Sequence, residues 1–523
     1  MKNKKNGFTL IELLAVIIVL AIIALIATPI IFNVIENAKI KSLENSCYGV
    51  IDAIRTKYAE GLLNLNKITN GNVNELTVSG EKPIDGTWTI DNSKDSEQRG
   101  IKIDNVRFSS MKDYACSNDL ETGKVSCKKT YKDNSSANTP ILFKNMVPIK
   151  YENNKWIIAD LGQKWYDYDA KEWANAVVLN SGVTKNVGDE VTEEEISLWY
   201  VWIPRYKYTI FNGNNGSAAA QLINVAFESG ISRTGTVTCT DNADGSETCS
   251  TITNGTSTYT HPAFKFGNTE LTGFWVGKFE ISTTDSTCNS SASSTNCNKV
   301  LTMSIKPNVS SWRYATISNH FTSIQNAKTT YGINNADSHM LKNMEWGAVA
   351  YLKQSKYGLG TTDIAVNTNS SYYTGGGTSD AYKTNVAQST TGNIYGVYDM
   401  SGGAWERVMG NMKNSSNAFY SSNAGFTTAP DAKYYDSYKY DSSSNKTHAR
   451  GKLGDATKET LATFGNTSGG WYSDYASFPG SSDSWFGRGG YYGDGTDAGV
   501  FIFGGSYGGD VDYYSARAVL TAE

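Results

Sequence analysis

Histidine is scarce in this sequence, with four widely separated residues among 523: His261, His320, His339 and His448. The seven cysteines include no Cys-x-x-Cys pair, and none follows Cys297. Zinc sites usually contain such a pair or neighbouring histidines. We therefore expect no zinc centre. Asp399 and Glu406 are expected to be structural hydrogen-bond partners instead of an acid/base pair.

Excess positive charge is also missing. The formal net charge is −4, and it is −7 without the three lysines of residues 1–7. Proteins that bind nucleic acid usually present a basic surface to the phosphates. The charge balance therefore predicts no nucleic-acid partner, although it does not test a local basic patch.

Proline is rare, with nine residues against 49 glycines, 32 tyrosines and 12 tryptophans. This composition predicts a turn-rich β fold that carries many aromatic side chains, as is common in extracellular binding modules. The length predicts two or three domains.

One long apolar run stands near the start of the chain, from Phe8 to Phe32, after a basic leader that ends in Gly7. The run is long enough to cross a bilayer as a helix. Glu12 interrupts it, and a lone carboxylate at that depth costs about 2.5–3.5 kcal/mol. A secretory signal peptide is the alternative, but the apolar core of such a peptide is shorter and precedes a small-residue cleavage site.

The block Gly7-Phe8-Thr9-Leu10-Ile11-Glu12 resembles the processing site of type IV pilins and pseudopilins, and Pro29 falls where that family commonly bends its helix. The resemblance implies that a prepilin peptidase cleaves after Gly7, removing residues 1–7, and that Phe8 is then N-methylated. It also implies that Glu12 pairs with a newly created amino terminus. The protein would cross the cell membrane once before assembly. It would then lie at the cell surface or in an extracellular pilus with other pilin subunits.

The segment after Pro29 has apolar residues at spacings of three and four, including Ile40, Leu43, Cys47 and Ile54. We therefore predict a transmembrane and stalk helix over 8–60, ended by Gly61. Alternating runs at 87–90 and 101–108 predict strands. With the pilin resemblance, they place a small antiparallel β head at 61–132. The polar stretch 133–145 is predicted to be a solvated linker.

Six cysteines form three neighbouring couples, with ten, nine and eight residues between partners: Cys116 and Cys127, Cys239 and Cys249, Cys288 and Cys297. In an exported chain, close couples favour local disulfides that close surface loops. Cys47 is left over and is predicted to be a buried free thiol on the apolar face of the helix.

Three stretches of the remaining chain resemble the formylglycine-generating, sulfatase-modifying domain, a divergent C-type-lectin fold, over about residues 199–522. They are residues 274–281, residues 396–408, and the C-terminal run from Arg488 to 516–520. The resemblance places a large loop-rich domain of this kind at 146–523. The overall fold class is therefore α+β, with a long N-terminal helix, a small pilin-like head and this domain.

The middle stretch departs from that family at Gly403-Ala404 and at Glu406-Arg407. Catalytic members of the family use a cysteine pair near the C-terminus, which this chain lacks. The resemblance therefore implies the fold and not the catalysis, and we expect no enzyme activity. Trp346 and Trp405 are expected to be core aromatics, and Asp337 or Ser338 is predicted to cap a helix that runs through Trp346.

The C-terminal stretch is rich in Tyr, Gly, Asp and Ser, as antibody paratopes are. It also resembles the variable proteins of diversity-generating retroelements, lectin-fold proteins in which adenine-containing codons are randomised. Every residue type between Gly489 and Ala516 has a codon that ends in a pyrimidine, as that mechanism requires. The resemblance implies these ligand-facing residues: Tyr491, Tyr492, Asp494, Ile502, Gly504, Gly505, Tyr507, Asp510, Asp512, Tyr513 and Tyr514.

Two alternatives stay open for this stretch. It is either a loop that only closes the fold, or a calcium site formed by Asp494, Asp497, Asp510 and Asp512. Two function classes follow for the whole protein. The first is a minor pilin or pilin-like adhesin that presents a lectin-fold face to an unknown surface protein or glycan. The second is a structural pilin or pseudopilin, of a type IV pilus or a type II secretion-like system, without a specific ligand.

Overall fold

The computed structural model describes residues 10–63, 68–90, 100–120, 122–211, 219–333, 335–421, 423–442, 450–461 and 469–522. Within the N-terminal helix Leu10–Leu63, the side chains of residues 12, 20–30 and 32 are outside this description. The chain divides into two compact units, Met1–Lys129 and Thr130–Glu523. The predicted processing residues Gly7 and Phe8, and the side chain of Glu12, therefore lie outside the described residues.

The first unit is one long helix followed by a five-stranded antiparallel sheet whose strands follow chain order. Its elements are α1 (Leu10–Leu63), β1 (Asn70–Asn72), β2 (Pro83–Ile90), β3 (Ile101–Phe108), β4 (Tyr114–Asn118) and β5 (Val125–Lys129). The helix continues through Gly61, where the sequence predicted its end. The head strands occur at the predicted positions.

The helix packs on the sheet through residues three and four apart. Leu43, Cys47, Val50 and Ile54 are buried in one cluster with sheet residues such as Trp88. Side chains nearer the start of α1 are exposed instead, with Leu10 at 85% and Ile11 at 78%. Among the described residues, no helix combines the length and the apolar character that crossing a bilayer requires.

The second unit contains many short strands. In chain order, the first are β6 (Met146–Glu152), β7 (Lys155–Ile158), β8 (Asn175–Leu179), β9 (Ile196–Pro204), β10 (Tyr206–Thr209), β11 (Val225–Phe227), β12 (Cys239–Asp241), β13 (Glu247–Cys249), β14 (Thr258–Thr260), β15 (Lys265–Phe266) and β16 (Thr269–Glu270). The others are β17 (Gly273–Gly277), β18 (Ser282–Thr283), β19 (Met303–Ser304), β20 (Ala336–Met340), β21 (Trp405–Met412), β22 (Asp436–Tyr438), β23 (Trp485–Gly489), β24 (Gly499–Ser506), β25 (Tyr514–Ala516) and β26 (Ala518–Ala522).

Two larger sheets organise this unit. The seven-stranded sheet has the order β20-β26-β17-β9-β8-β6-β7, and the five-stranded sheet has β22-β21-β23-β24 with β25 beside β21. Strands β9 and β17 are apolar on both faces because both faces are buried. The described helices of this unit are α2 (Ser286–Ser290), α3 (Ser294–Cys297), α4 (Ile317–Thr330), α5 (Asn343–Lys353) and α6 (Ala381–Thr384).

The prediction of a solvated linker at 133–145 is wrong. Asp133 is 7% exposed and Asn138 is 4% exposed. The Asp133 carboxylate accepts a hydrogen bond from the Tyr168 backbone N–H at 2.9 Å. The Asn138 side chain donates to the carbonyls of Gly230 and Thr272, both at 2.9 Å. This polar segment belongs to the second unit because its polar atoms are used inside the fold instead of being solvated.

The predicted helix cap at Asp337 or Ser338 is also wrong. Both residues lie in β20, which pairs with β26, and α5 begins at Asn343, where the Lys342 N–H donates to the Glu345 carboxylate at 2.8 Å. The Asp337 carboxylate instead lies 3.0 Å from Nδ1 of His339.

All three predicted disulfides are present in the structure. Cys116–Cys127 and Cys239–Cys249 each join directly opposite residues of a hairpin, and Cys288–Cys297 joins α2 to α3. Cys47 is free and buried, and burial, with a smaller effect of Glu44, raises the pKa of its thiol to about 12. The thiol is therefore protonated at neutral pH, as expected for a structural residue.

Glu459 is a fully buried carboxylate in the core of the second unit. Its Oε2 accepts hydrogen bonds from the Tyr208 and Tyr351 hydroxyls and the Gly454 N–H, at 2.8, 2.7 and 2.8 Å. Its Oε1 has no hydrogen-bond partner within the described parts of the chain. Burial raises the pKa of Glu459 to about 7 because the charged form loses its hydration there.

The substitution Glu459→Gln is expected to stabilise the protein increasingly as pH rises. A raised carboxyl pKa gives stability that is complete below the ordinary value of 4.5 and is lost as pH rises through about 7. Glutamine does not titrate, so the variant should gain up to about 3 kcal/mol over wild type across that window. Urea unfolding at several pH values measures this difference, with the exposed Glu190→Gln as control. A difference that does not change with pH would contradict the assignment.

Candidate binding face

The five-stranded sheet of the second unit brings a set of aromatic side chains together at one surface. Strand β21 begins at Trp405, the loop 490–498 joins β23 to β24, and the loop 507–513 joins β24 to β25. Tyr372 and Arg313 lie in two further surface loops beside this sheet. We call the following set the aromatic face: Tyr372, Trp405, Tyr491, Tyr492, Tyr507 and Tyr513.

Four rings of the aromatic face form a continuous series. The Tyr372 ring centroid lies 4.9 Å from that of Tyr492, which lies 5.2 Å from that of Tyr491. Tyr491 is 5.8 Å from Tyr513 in turn. Most of these pairs are edge-to-face or tilted, the arrangements that aromatic rings prefer. The rings therefore support one another while parts of them stay open to solvent.

Backbone hydrogen bonds join the loops that carry these rings. The Tyr492 N–H donates to the Gly403 carbonyl and the Trp405 N–H donates to the Tyr513 carbonyl, both at 2.9 Å. The Asp494 carboxylate accepts from the Tyr491 N–H at 3.0 Å and from the Trp405 side chain. Burial raises the pKa of Asp494. Both hydrogen bonds make this carboxylate part of the loop structure.

Arg407 holds the loop 507–513 from the inner side. Its guanidinium is fully buried and donates to the carbonyls of Ala315 and Gly509 and to the Ser506 hydroxyl. It also lies 4.4 Å from the centroid of the Tyr514 ring. Burial lowers the pKa of Arg407 to about 10, so the group is still charged at neutral pH. These contacts fix the backbone of the loop from below.

The network beneath this surface consists of buried charges. Arg517 donates to the Glu406 carboxylate through two nitrogens, one at 2.8 Å, and to the carbonyls of Gly277 and Tyr398. The Glu280 carboxylate accepts from the Ala404 N–H at 2.9 Å. Burial, together with the neighbouring Asp399 and Glu406, raises the pKa of Glu280 well above its usual range. These surroundings therefore disfavour the charged form of Glu280.

Eight of the eleven predicted ligand-facing residues reach the surface at least in part, and three do not. Tyr507 and Tyr513 are 39% and 37% exposed, and Asp512 is exposed as well. Tyr491, Tyr492, Asp494, Gly505 and Asp510 are half-buried.

The prediction is wrong for Ile502, Gly504 and Tyr514. Ile502 is fully buried in β24, and Tyr514 is 7% exposed beneath Tyr513. Gly504 lies under Trp405, because a Cβ atom there would come within 3.3 Å of the indole ring. Gly504 and Tyr514 therefore support the aromatic face from below.

The calcium alternative is not supported. Among the described residues, the groups with metal-ligand spacing are Cys47, Cys116 and Cys127, and Cys239, Glu247 and Cys249. Each contains a disulfide, and neither contains Asp494, Asp497, Asp510 or Asp512. The described histidines are each fully buried in separate surroundings, and burial lowers the pKa of both His261 and His320 to about 3. His448 lies outside the described residues.

Sequence reasoning missed Arg313 and Tyr372 and assigned Trp405 to the core. Trp405 is half-buried, whereas Trp346 is fully buried as expected. The guanidinium carbon of Arg313 lies 3.8 Å from the centroid of the Tyr372 ring, and Arg313 donates to the Asp512 carbonyl at 2.6 Å. Tyr372 has a φ of 57°, a left-handed conformation that costs a tyrosine about 1–3 kcal/mol and clusters at functional sites. Its position in a polar loop beside a second tyrosine is the one sequence signal that could have suggested it.

Comparison with known proteins decides the family of the chain. The model of the prokaryotic N-terminal methylation motif matches residues 2–28. Prepilin peptidase-dependent protein A of Clostridium perfringens (strain 13 / Type A) is 31% identical over 116 residues, which are 20% of this chain and 83% of that protein.

This chain belongs to the prepilin peptidase-dependent protein family. Family membership supports a pilin-like surface protein with a prepilin-type N-terminus, as the block from Gly7 to Glu12 predicted. Neither match names a formylglycine-generating or C-type-lectin-fold domain.

Proposed function

We propose that this protein is a minor pilin or pilin-like adhesin whose second unit presents a ligand-binding face on a C-type-lectin-like fold. The observation that carries the proposal is the aromatic face. Its rings come from four separate segments of the chain, and buried groups below hold those segments in place. Tyrosines exposed on rigid loops provide large contact areas at a low cost in conformational entropy. They are also enriched where proteins bind one another.

The three stretches that resemble the formylglycine-generating domain meet in one buried network, which supports a lectin-like fold for this unit. Glu280 comes from the first stretch, Glu406 from the second and Arg517 from the third. Hydrogen bonds join Glu280 to the backbone of the second stretch and Arg517 to Glu406. We propose that the fold serves binding and not catalysis. Asp399 and Glu406 are engaged in structural contacts with groups such as Asn367 and Arg517.

The N-terminal helix supports display at a surface. Exposed apolar side chains such as Leu10, Ile11 and Leu14 need a cover of lipid or of other helices. We propose that a prepilin peptidase cleaves after Gly7 and that α1 is anchored in the membrane before it packs with other pilin subunits. The size of the second unit favours a minor or tip subunit, because it would crowd every turn of a filament.

Maturation is predicted to leave N-methylated Phe8 as the amino terminus, and mass spectrometry of the membrane fraction reads it directly. Glu12→Ala should be processed normally but assemble poorly, because an amine in an apolar environment then loses its charged partner. A mature chain that starts at another residue would contradict the maturation step. Assembly of Glu12→Ala at the wild-type level would contradict the pairing.

We further propose that the aromatic face is diversified, as the variable-protein resemblance implies. Sequencing the flanking DNA should then find a reverse transcriptase gene and an imperfect copy of the 3′ segment that differs at template adenines. If both are absent, the proposal that the face is diversified is wrong. The aromatic face would then be a binding site of fixed sequence.

Binding itself is tested with the full-length mature protein in nonionic detergent on glycan and peptide arrays. Reproducible capture of a defined ligand class supports the adhesin. A protein that assembles with pilins and captures nothing on either array would favour the structural pilin.

A further inference from the structure

The two C-terminal loops that carry most of the aromatic face contain negative charges only. Between Gly489 and Ala516 the chain contains Asp494, Asp497, Asp510 and Asp512 and no basic residue. Asp497 and Asp512 are exposed and Asp510 is half-buried. We call these three aspartates the rim of the aromatic face. Their carboxylates give this surface a negative potential.

The nearby positive charges are already used inside the protein. Arg407 is fully buried and holds the loop 507–513 through its hydrogen bonds. Arg313 is half-buried, with its guanidinium carbon 3.8 Å from the Tyr372 centroid and one nitrogen on the Asp512 carbonyl. Both guanidinium groups therefore make their hydrogen bonds to backbone carbonyls and, for Arg407, to the Ser506 hydroxyl, while Asp510 also acts on the charge of Arg407.

The rings of this region already bind guanidinium groups. Arg313 lies over Tyr372, and Arg407 lies 4.4 Å from the centroid of Tyr514, on the inner side of the face. A tyrosine ring attracts cations through its electron-rich face. Tyr507 and Tyr513 keep more than a third of their surface exposed, so part of each ring is open to a further cation.

We propose that the ligand of the aromatic face is a protein segment rich in arginine or lysine, with cationic side chains over the exposed tyrosines and against the rim aspartates. This inference rests on the proposed binding function and specifies its ligand class. The same charge opposes nucleic acids and anionic lipid headgroups. Aromatic rings alone would also bind a neutral glycan. Only a cationic ligand is attracted by the carboxylates, so their effect on binding distinguishes a basic protein segment from a glycan.

The test measures binding of three peptides of equal length to full-length protein in nonionic detergent: alternating Gly-Arg, Gly-Lys and Gly-Glu. The Gly-Arg and Gly-Lys peptides should bind and the Gly-Glu peptide should not. Affinity should fall as salt is raised, because exposed charge pairs are screened. Asp510→Asn with Asp512→Asn should weaken binding about tenfold, and Tyr507→Ala with Tyr513→Ala at least as much.

A matched control separates the face from general acidity. Asp169→Asn with Glu190→Gln also removes two negative charges, but from exposed positions elsewhere on the second unit. This control pair should leave basic-peptide binding unchanged. Equal weakening by both charge-removing pairs would overturn the inference, as would basic-peptide binding that survives the tyrosine pair.

Failure of the inference and failure of the proposed function give different results. If a neutral glycan or the Gly-Glu peptide binds and the tyrosine pair abolishes that binding, the face is a binding site and the cationic ligand class is wrong. If no probe, including the array ligands, depends on the tyrosines, the proposed function fails together with the inference.

Discussion

Arg517→Ala is expected to lower the free energy of unfolding of the second unit by about 3–5 kcal/mol. The guanidinium is fully buried and donates to the Glu406 carboxylate and to two backbone carbonyls. Its removal leaves the buried Glu406 carboxyl without its cationic partner, close to Asp399. Removing one partner of a buried ion pair is among the most costly changes a core can suffer.

Glu280→Gln is the matched control in the same network. The pKa of Glu280 is raised well above its usual range by burial and by its acidic neighbours, so its charged form is disfavoured and a neutral amide suits the same site. Glutamine keeps a carbonyl oxygen for the Ala404 N–H, and the expected loss is below about 1 kcal/mol. Chemical denaturation measures the free energy of unfolding of both variants and of wild type. An Arg517→Ala variant as stable as Glu280→Gln would show that the network does not hold this part of the fold together.

Short-range sequence patterns predicted much of the fold correctly. The apolar spacing of Leu43, Cys47 and Ile54 identified the buried face of α1 because a helix brings residues three and four apart together. The close cysteine couples pointed to their disulfides because each pair lies within one local element.

Long-range partners account for the errors. Asp133 and Asn138 resembled linker residues in their polarity, but Tyr168, Gly230 and Thr272 bind them from far along the chain. Asp337 is a good helix cap by type, yet pairing with β26 places it in a strand. A local sequence pattern does not show which distant residues will pair with a segment.

The candidate site shows the same division between local and distant information. The tyrosine-rich C-terminal stretch stands out by composition, and Tyr507 and Tyr513 are indeed exposed. Ile502 and Gly504 were misassigned because the order of buried and exposed positions depends on how β24 packs. Arg313 and Tyr372 could not be assigned at all, since only the tertiary fold brings them beside Tyr492 and Asp512.

Combined replacement of Tyr491, Tyr507 and Tyr513 by alanine is expected to abolish ligand binding, a loss of about a hundredfold or more in affinity. Buried aromatic anchors in the centre of an interface commonly contribute about 2 kcal/mol or more each. The three side chains are half-buried or exposed in the free protein, so their loss should change the melting temperature by no more than about 3 °C.

The matched control is a triple tyrosine replacement away from the face. Tyr48 of the first unit and Tyr151 and Tyr435 of the second unit are also half-buried or exposed, and their replacement by alanine should leave binding unchanged. Comparison with this control separates loss of the face from a general loss of tyrosine surface.

The most direct test of the aromatic face is the affinity ratio between wild-type and Tyr491/Tyr507/Tyr513→Ala full-length protein, measured by surface plasmon resonance. The ligand is the one that wild type captures on the arrays, and both proteins are melted in parallel. We predict that the variant loses binding and keeps a melting temperature close to that of wild type. Wild-type affinity in a fully folded variant would contradict the aromatic face as the binding site.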